Sequence, residues 1–234
     1  MVNSWLESVH DRLFPAACRL CRAPARDGLD LCRDCLDDLP WLPPGCPRCA
    51  QPLDAGPGTP CGACSTRPPA YDGCIALFSY EFPVDHLVHR VKFGGDLALA
   101  RSLGMLLRRR LRERGSPAPD RVVPVPLHPS RLSERGFNQA RELARPLRAA
   151  GLRLDDRLCR RIRRTPPQAG LSADRRRRNL RGSFEVRRPV AGGHVLLVDD
   201  VMTTGATLDE LARTLKRAGA ARVEALVIAR TLRP

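Results

Sequence analysis

The sequence predicts an α/β protein built on a parallel sheet, preceded by a small cysteine-rich module. Three observations carry that prediction. Residues 194–230, HVLLVDDVMTTGATLDELARTLKRAGAARVEALVIAR, read as strand, loop, helix and strand. Both strands run apolar for several residues in succession, as strands covered on two faces do. Eight of the ten cysteines fall into four C-x-x-C pairs within the first 64 residues. Prolines crowd the stretch from Pro40 to Pro69, which disfavours long helices and sets a boundary between residues 1–69 and 70–234.

The chain has 234 residues, enough for one medium domain or one domain plus a module. A composition of 43% hydrophobic and 28% charged residues excludes wholesale disorder and collagen-like structure. The N-terminal stretch places Trp5, Val9 and Leu13 at helical spacing but includes Glu7 and Asp11. It reads as a short packing helix rather than a signal peptide. No run approaches the ~18 apolar residues of a transmembrane helix, so a cytoplasmic location without membrane insertion is expected.

The cysteine pairs are Cys18/Cys21, Cys32/Cys35, Cys46/Cys49 and Cys61/Cys64. A two-residue spacer lets both sulfurs of a knuckle reach one tetrahedral ion, and two knuckles complete a closed four-thiolate site. Eight thiolates therefore predict two structural zinc ribbons. A disulfide framework suits a short secreted chain, and redox chemistry normally shows a single C-x-x-C near a βαβ unit. Pairing in sequence order and an interleaved cross-brace are both compatible with the spacing. With all four positions filled by thiolate there is no place for a catalytic water. Cys74 and Cys159 stand alone and read as small core residues.

Further along, YEFPVDHLVHRVKFGGD (80–96) precedes a helix and puts His86 and His89 three residues apart. VVPVPLHPSRLSERGFNQARELA (122–144) reads as a short strand, a proline-stiffened loop and a helix starting near Phe137. RTPPQAGLSADRRRRNLRGSFEV (164–186) is a basic loop. In the closing unit, Leu208, Leu211, Ala212 and Leu215 give a helix over 206–218 one apolar face.

Ligands of open parallel sheets sit at the carboxyl ends of the strands, which is where Asp199 and Asp200 fall. Thr203, Thr204, Gly205, Ala206 and Thr207 follow as a small-residue turn at a helix N-terminus, a natural cradle for an anion. Neither a G-x-x-x-x-G-K-[ST] loop nor a G-x-G-x-x-G fingerprint occurs. Two carboxylates just ahead of a phosphate cradle suit a sugar phosphate: acceptors for adjacent ribose hydroxyls, donors for the 5-phosphate.

The run VLLVDDVMTTGAT closely resembles the phosphoribosyl pyrophosphate motif of type I phosphoribosyltransferases. Together with RGFNQA (135–140), the 168–184 run and the cysteine ribbons, the whole chain resembles the ComF-type competence proteins. The resemblance implies a type I phosphoribosyltransferase fold behind a double zinc ribbon. It also implies that Asp199 and Asp200 bind ribose, that 203–207 hold the 5-phosphate, and that Pro124, Val125, Pro126 and Leu127 flank pyrophosphate. Mg²⁺ is expected with phosphoribosyl pyrophosphate. Lys92 matches a family motif and is assigned to phosphate. Arg131, Arg135, Arg164, Arg175, Arg177 and Arg178 are candidates for stabilising departing pyrophosphate, with Asn138, Gln139, Gln168 and Asn179 as polar contacts and His128 beside the pyrophosphate loop.

Charge agrees with an anionic partner. Forty Lys+Arg face 25 Asp+Glu, a net +15, and residues 1–70 sum to −1 while the remainder carries +16. Twelve arginines fall between Arg157 and Arg188. Loading two zincs on eight thiolates lowers the total to about +11 and takes the ribbon module to about −5. A basic lid over pyrophosphate, a track for single-stranded DNA and a solvated face are three readings of the arginine run. The resemblance favours a role in DNA uptake, with a helicase-type competence ATPase as a family expectation. An active phosphoribosyltransferase with an unidentified acceptor and a non-catalytic phosphoribosyl pyrophosphate sensor are the alternatives.

Overall fold

The computed structural model describes residues 17–25, 28–54, 58–115, 117–164 and 178–232. The helix expected around Trp5, Val9 and Leu13 lies outside them, as do Gln168, Arg175 and Arg177. Among the described residues, no helix is long and apolar enough to cross a membrane.

Four strands form one wholly parallel sheet: β1 (Gly73–Ser79), β2 (Arg121–Pro124), β5 (His194–Met202) and β6 (Arg222–Arg230), in the order β1-β6-β5-β2. A second, antiparallel pair joins β3 (Cys159–Arg161) to β4 (Phe184–Val186), matching Arg161 to Phe184. All seven residues of β1 are buried, as the continuous apolar pattern requires. β5 runs four residues beyond the strand expected from sequence, through Asp199 and Asp200 to Met202, because β6 offers it pairing partners as far as Arg230.

The helices are α1 (Arg33–Asp37), α2 (Gly62–Thr66), α3 (Val84–Gly94), α4 (Leu97–Glu113), α5 (Pro129–Arg135), α6 (Gln139–Arg148) and α7 (Ala206–Arg217). Leu208, Leu211, Ala212 and Leu215 of α7 are all no more than 1% exposed, and each buried leucine contributes about 1.5–3 kcal/mol. On the other side, α4 and α6 cross closely at Gly104. A Cβ there would stand 2.4 Å from the Leu143 carbonyl oxygen, so only glycine fits. The helix expected from near Phe137 is α6, which starts at Gln139 under the Asn138 cap. The loop ahead of it differs from the expectation by folding into α5, which ends at left-handed Gly136.

The cysteine module repeats one pattern twice. Cys18 N–H donates to Ala23 and Arg22 N–H to Cys18. Cys46 N–H donates to Gln51 and Ala50 N–H to Cys46. Each half ends in a short helix, α1 or α2, directly after its third cysteine. Between the halves, the chain pairs antiparallel with the free edge of β1, Leu42 N–H donating to Leu77 and Ser79 N–H to Pro40. That covers an otherwise open edge. The first ribbon rests on α3 and α4, where Asp30 bonds Ser102 and Arg90 reaches the Arg19 carbonyl. The second rests beside β6 and the turn after β5.

Candidate functional site

The structure settles the cysteine pairing. Cys18, Cys21, Cys32 and Cys35 form one cluster and Cys46, Cys49, Cys61 and Cys64 another, with the sulfurs of each within 4.8 Å of one another. Pairing is thus in sequence order, not interleaved. The separations Cys21–Cys32 of 3.5 Å and Cys49–Cys61 of 3.7 Å are far longer than a disulfide. They match the edge of about 3.8 Å of a tetrahedron with Zn–S near 2.3 Å. Backbone N–H groups of Leu20, Cys35 and Cys61 point at Cys18, Cys32 and Cys46 sulfurs, as thiolate ligands require. These are two closed structural zinc sites. Cys74 and Cys159 are separate, buried, and pushed up to about 12 by that burial, so neither serves as a thiolate nucleophile.

The second site lies at the carboxyl ends of β2 and β5, adjacent in the sheet. Asp200 is buried, and its Oδ1 accepts from Lys92 Nζ at 3.0 Å and from Val201 N–H at 2.6 Å. Its Oδ2 is buried, with no hydrogen-bond partner among the described residues. Asp199 Oδ1 accepts from Asp200 N–H at 2.9 Å. Burial first, and the neighbouring Asp200 charge second, push the Asp199 carboxyl up to about 7. The turn follows at once: Thr203 is exposed, Thr204 and Thr207 are half-buried, and Gly205 caps α7 with φ of 78°. A Cβ on Gly205 would stand 2.9 Å from the Tyr71 hydroxyl, so both conformation and space demand glycine.

The loop after β2 is fixed by two bonds. Val125 N–H donates to Val198, and Asn138 Nδ2 donates to the Val125 carbonyl at 3.0 Å while Asn138 Oδ1 caps α6. His128 Nδ1 accepts from Ser130 N–H at the start of α5. Gln139 is buried and accepts from Arg135 Nη1 at 2.6 Å. Asn138 and Gln139 therefore anchor the loop and aim an arginine.

Two guanidiniums, Arg135 and Arg161, lie within electrostatic reach of the acidic pair, and Arg131 lies close to both of them. Arg135 feels Asp200, Arg131 and Asp199, and Arg161 feels Arg131 and Asp199. Burial lowers the pKa of both Arg135 and Arg161. Arg161 was not singled out from sequence; pairing with β4 places it, and its guanidinium stands 5.6 Å over the Phe184 ring. Arg164 is exposed and pairs with Glu134 at 3.5 Å, Arg178 is exposed, and Asn179 is half-buried. His86 and His89 both sit exposed on α3, and His89 packs on Phe93 at 4.7 Å.

Comparison with known proteins places this arrangement. Residues 9–65 match the double zinc ribbon domain and residues 133–233 the phosphoribosyl transferase domain. The DNA utilization protein YhgH of Salmonella typhi is 40% identical over 224 residues, covering 93% of this chain and 98% of that one. The chain belongs to the ComF/YhgH family. Competence protein F of Haemophilus influenzae is 32% identical over 231 residues, with the same coverage of both chains. Competence protein ComFC of Streptococcus pneumoniae is 30% identical over 160 residues, covering 66% of this chain and 67% of that one. This ComF/YhgH chain thus joins a phosphoribosyltransferase-fold domain to a double zinc ribbon, as its sequence predicted.

Proposed function

We propose that the site at the carboxyl ends of β2 and β5 binds phosphoribosyl pyrophosphate with Mg²⁺, and that the protein acts in DNA uptake or utilization through this site. One observation carries the proposal: the buried Oδ2 of Asp200, without a hydrogen-bond partner among the described residues, beside the small-residue turn at the N-terminus of α7. An orphaned buried acceptor calls for a donor or a cation, and a ribose hydroxyl or hydrated Mg²⁺ supplies one. In this reading Asp199 and Asp200 take the ribose hydroxyls and residues 203–207 the 5-phosphate. Pro124–Leu127 with Lys92, Arg131, Arg135 and Arg161 face pyrophosphate. Mg²⁺, a hard cation that keeps several waters, would be held by the carboxylates and pyrophosphate oxygens and neutralises pyrophosphate charge. The four cations stabilise the same charge on departure, which makes phosphoribosyl transfer chemically accessible once an acceptor enters.

Titration calorimetry with phosphoribosyl pyrophosphate and Mg²⁺ tests the assignment. Heat from the native protein and none from Asp199→Asn/Asp200→Asn supports it; no heat from the native protein overturns it. In a transformable host, an Asp199→Ala/Asp200→Ala chain that still supports DNA uptake would detach that role from the pocket.

A groove of about 780 Å³ supports single-stranded DNA as a further ligand. It combines Arg141, Arg145, Arg160 and Arg161 with Leu132 and Phe137, and phosphate would have to compete there with Asp156, Glu142 and Glu185, which pair with Arg141, Arg145 and Arg160. Phosphates on the arginines and bases on the apolar wall predict affinity that falls steeply with salt. DNA binding indifferent to salt would reject that site.

A further inference from the structure

Arg230 ends β6 and is the largest fully buried side chain among the described residues. No carboxylate pairs with it among those residues; its donors go to backbone carbonyls. Nε donates to Cys49 at 3.0 Å, and Nη1 donates to Met202 at 2.9 Å, to Thr231 at 2.9 Å and to Thr203. Nη2 is buried without a partner among the described residues. A guanidinium removed from both water and counter-charge is strongly unfavourable, so negative charge has to come from nearby.

Cys49 belongs to the group that supplies it. Four thiolates around one Zn²⁺ carry a net −2, whereas four thiols carry none. On the opposite side of the fork, Met202 is the last residue of β5 and Thr203 the first of the anion-binding turn. A single planar group thus spans from a zinc ligand to the start of that turn. The two also share a crevice, in which Cys49 and Cys64 face Thr204, Gly205 and Ala206. Ala70, just beyond the ribbon, donates its N–H to Asp209 Oδ1 of α7 at 2.7 Å.

We propose that Arg230 is a positioning residue that couples metal at the second four-cysteine site to the geometry of the anion-binding turn. The zinc–thiolate cluster is its counter-ion, and it fixes the carbonyls of Met202 and Thr203 in return. The inference deepens the phosphoribosyl pyrophosphate reading, because it makes the second zinc a determinant of ligand affinity. The coupling itself is measurable without that ligand.

The test follows zinc release to a chromophoric chelator together with amide hydrogen exchange. Cys21 of the first site is exposed, so in the native protein the first site should release zinc fast and the second slowly. Arg230→Met should speed the slow phase at least tenfold, leave the fast phase unchanged, and raise exchange across residues 203–207 while β5 stays protected. Arg230→Lys keeps the charge without the fork, so it should restore slow release but not the protection of the turn. Slow release within twofold of native in Arg230→Met would overturn the proposal. Should Arg230→Met fail to fold, the native protein decides: loss of the second zinc must raise exchange in 203–207 and spare β5. Unchanged exchange there, or a general loss including β5, overturns the coupling. Absence of calorimetric heat with phosphoribosyl pyrophosphate and Mg²⁺ rejects that ligand alone and leaves these outcomes standing.

Discussion

Lys92 and Asp200 stand 108 positions apart in the chain and meet at 3.0 Å, ammonium to carboxylate, where α3 overlies the end of β5. The pair is unequal: the Asp200 side chain is 7% exposed and the Lys92 side chain 22%. Lysine therefore keeps part of its hydration, while aspartate depends on its partner. Lys92→Met should cost about 1–2 kcal/mol, below the 3–5 of a fully buried pair broken on one side. Asp200→Asn should cost less, since a partly solvated lysine tolerates the loss better than the buried aspartate does. Urea unfolding of both variants and of the double variant checks this ordering. Calorimetry should show phosphoribosyl pyrophosphate affinity reduced at least tenfold in Lys92→Met.

The Asp199 carboxyl titrates near 7 rather than at the ordinary 3.8, mainly through burial. A carboxyl whose pKa is raised on folding contributes stability below the unfolded value, and loses it as pH climbs through the folded one. Stability should therefore fall between about pH 4 and pH 7. Asp199→Asn should match the native protein near pH 4 and exceed it above pH 7, by an amount on the order of 1–3 kcal/mol. Binding of phosphoribosyl pyrophosphate, as proposed, should run the opposite way, because accepting hydroxyls or Mg²⁺ needs the ionised form. Calorimetry in buffers of differing ionisation enthalpy should detect nearly one proton released on binding at pH 6, and less above pH 8.

The sequence exposed the features that are local along the chain. Each C-x-x-C pair is a knuckle in itself, and VLLVDDVMTTGAT is contiguous, so the presence of two zinc sites and the strand–turn–helix could be read directly, whereas which knuckles share an ion depends on how the module folds. Arg161 and Arg230 were hidden for a different reason. Arg161 is one of twelve arginines in a basic run, and the β3–β4 register alone turns it toward Asp199. Arg230 closes an apolar strand, where a basic residue ordinarily marks the emergence of the chain into solvent. Its burial follows from the second ribbon packing against the end of β6, a contact 181 positions long. The Asn138 cap was legible as a residue type, but its second bond, to Val125, depends on where α6 meets β2.

Gly205 tests whether the turn tolerates a side chain. Its φ of 78° and the 2.9 Å approach of the Tyr71 hydroxyl act together against Gly205→Ala. The left-handed conformation alone costs about 1 kcal/mol, and the contact adds to it unless Tyr71 moves. Gly205→Ala should weaken phosphoribosyl pyrophosphate binding at least tenfold while circular dichroism stays native. Adding Tyr71→Phe removes the clash and leaves the backbone term, so affinity should recover in part. Full recovery would mean that backbone conformation contributes nothing, and no recovery would mean that the hydroxyl does not.

Arg22 and Ala50 occupy matching positions directly after the second cysteine of their knuckles, with φ of 67° and 57°. The backbone of both positions suits glycine, yet their surroundings differ. Arg22 is exposed, whereas Ala50 is 8% exposed and packs in the core beneath the sheet. Arg22→Gly relieves a left-handed strain of roughly 1 kcal/mol and gives back part of it in unfolded-chain entropy. It should raise stability by about 0.5 kcal/mol and slow zinc release from the first site. Ala50→Gly relieves the same strain but deletes a buried methyl worth about 0.8 kcal/mol, so its net effect should be close to zero. Thermal unfolding of the two zinc-loaded variants, side by side, distinguishes this account from one in which both knuckles respond alike.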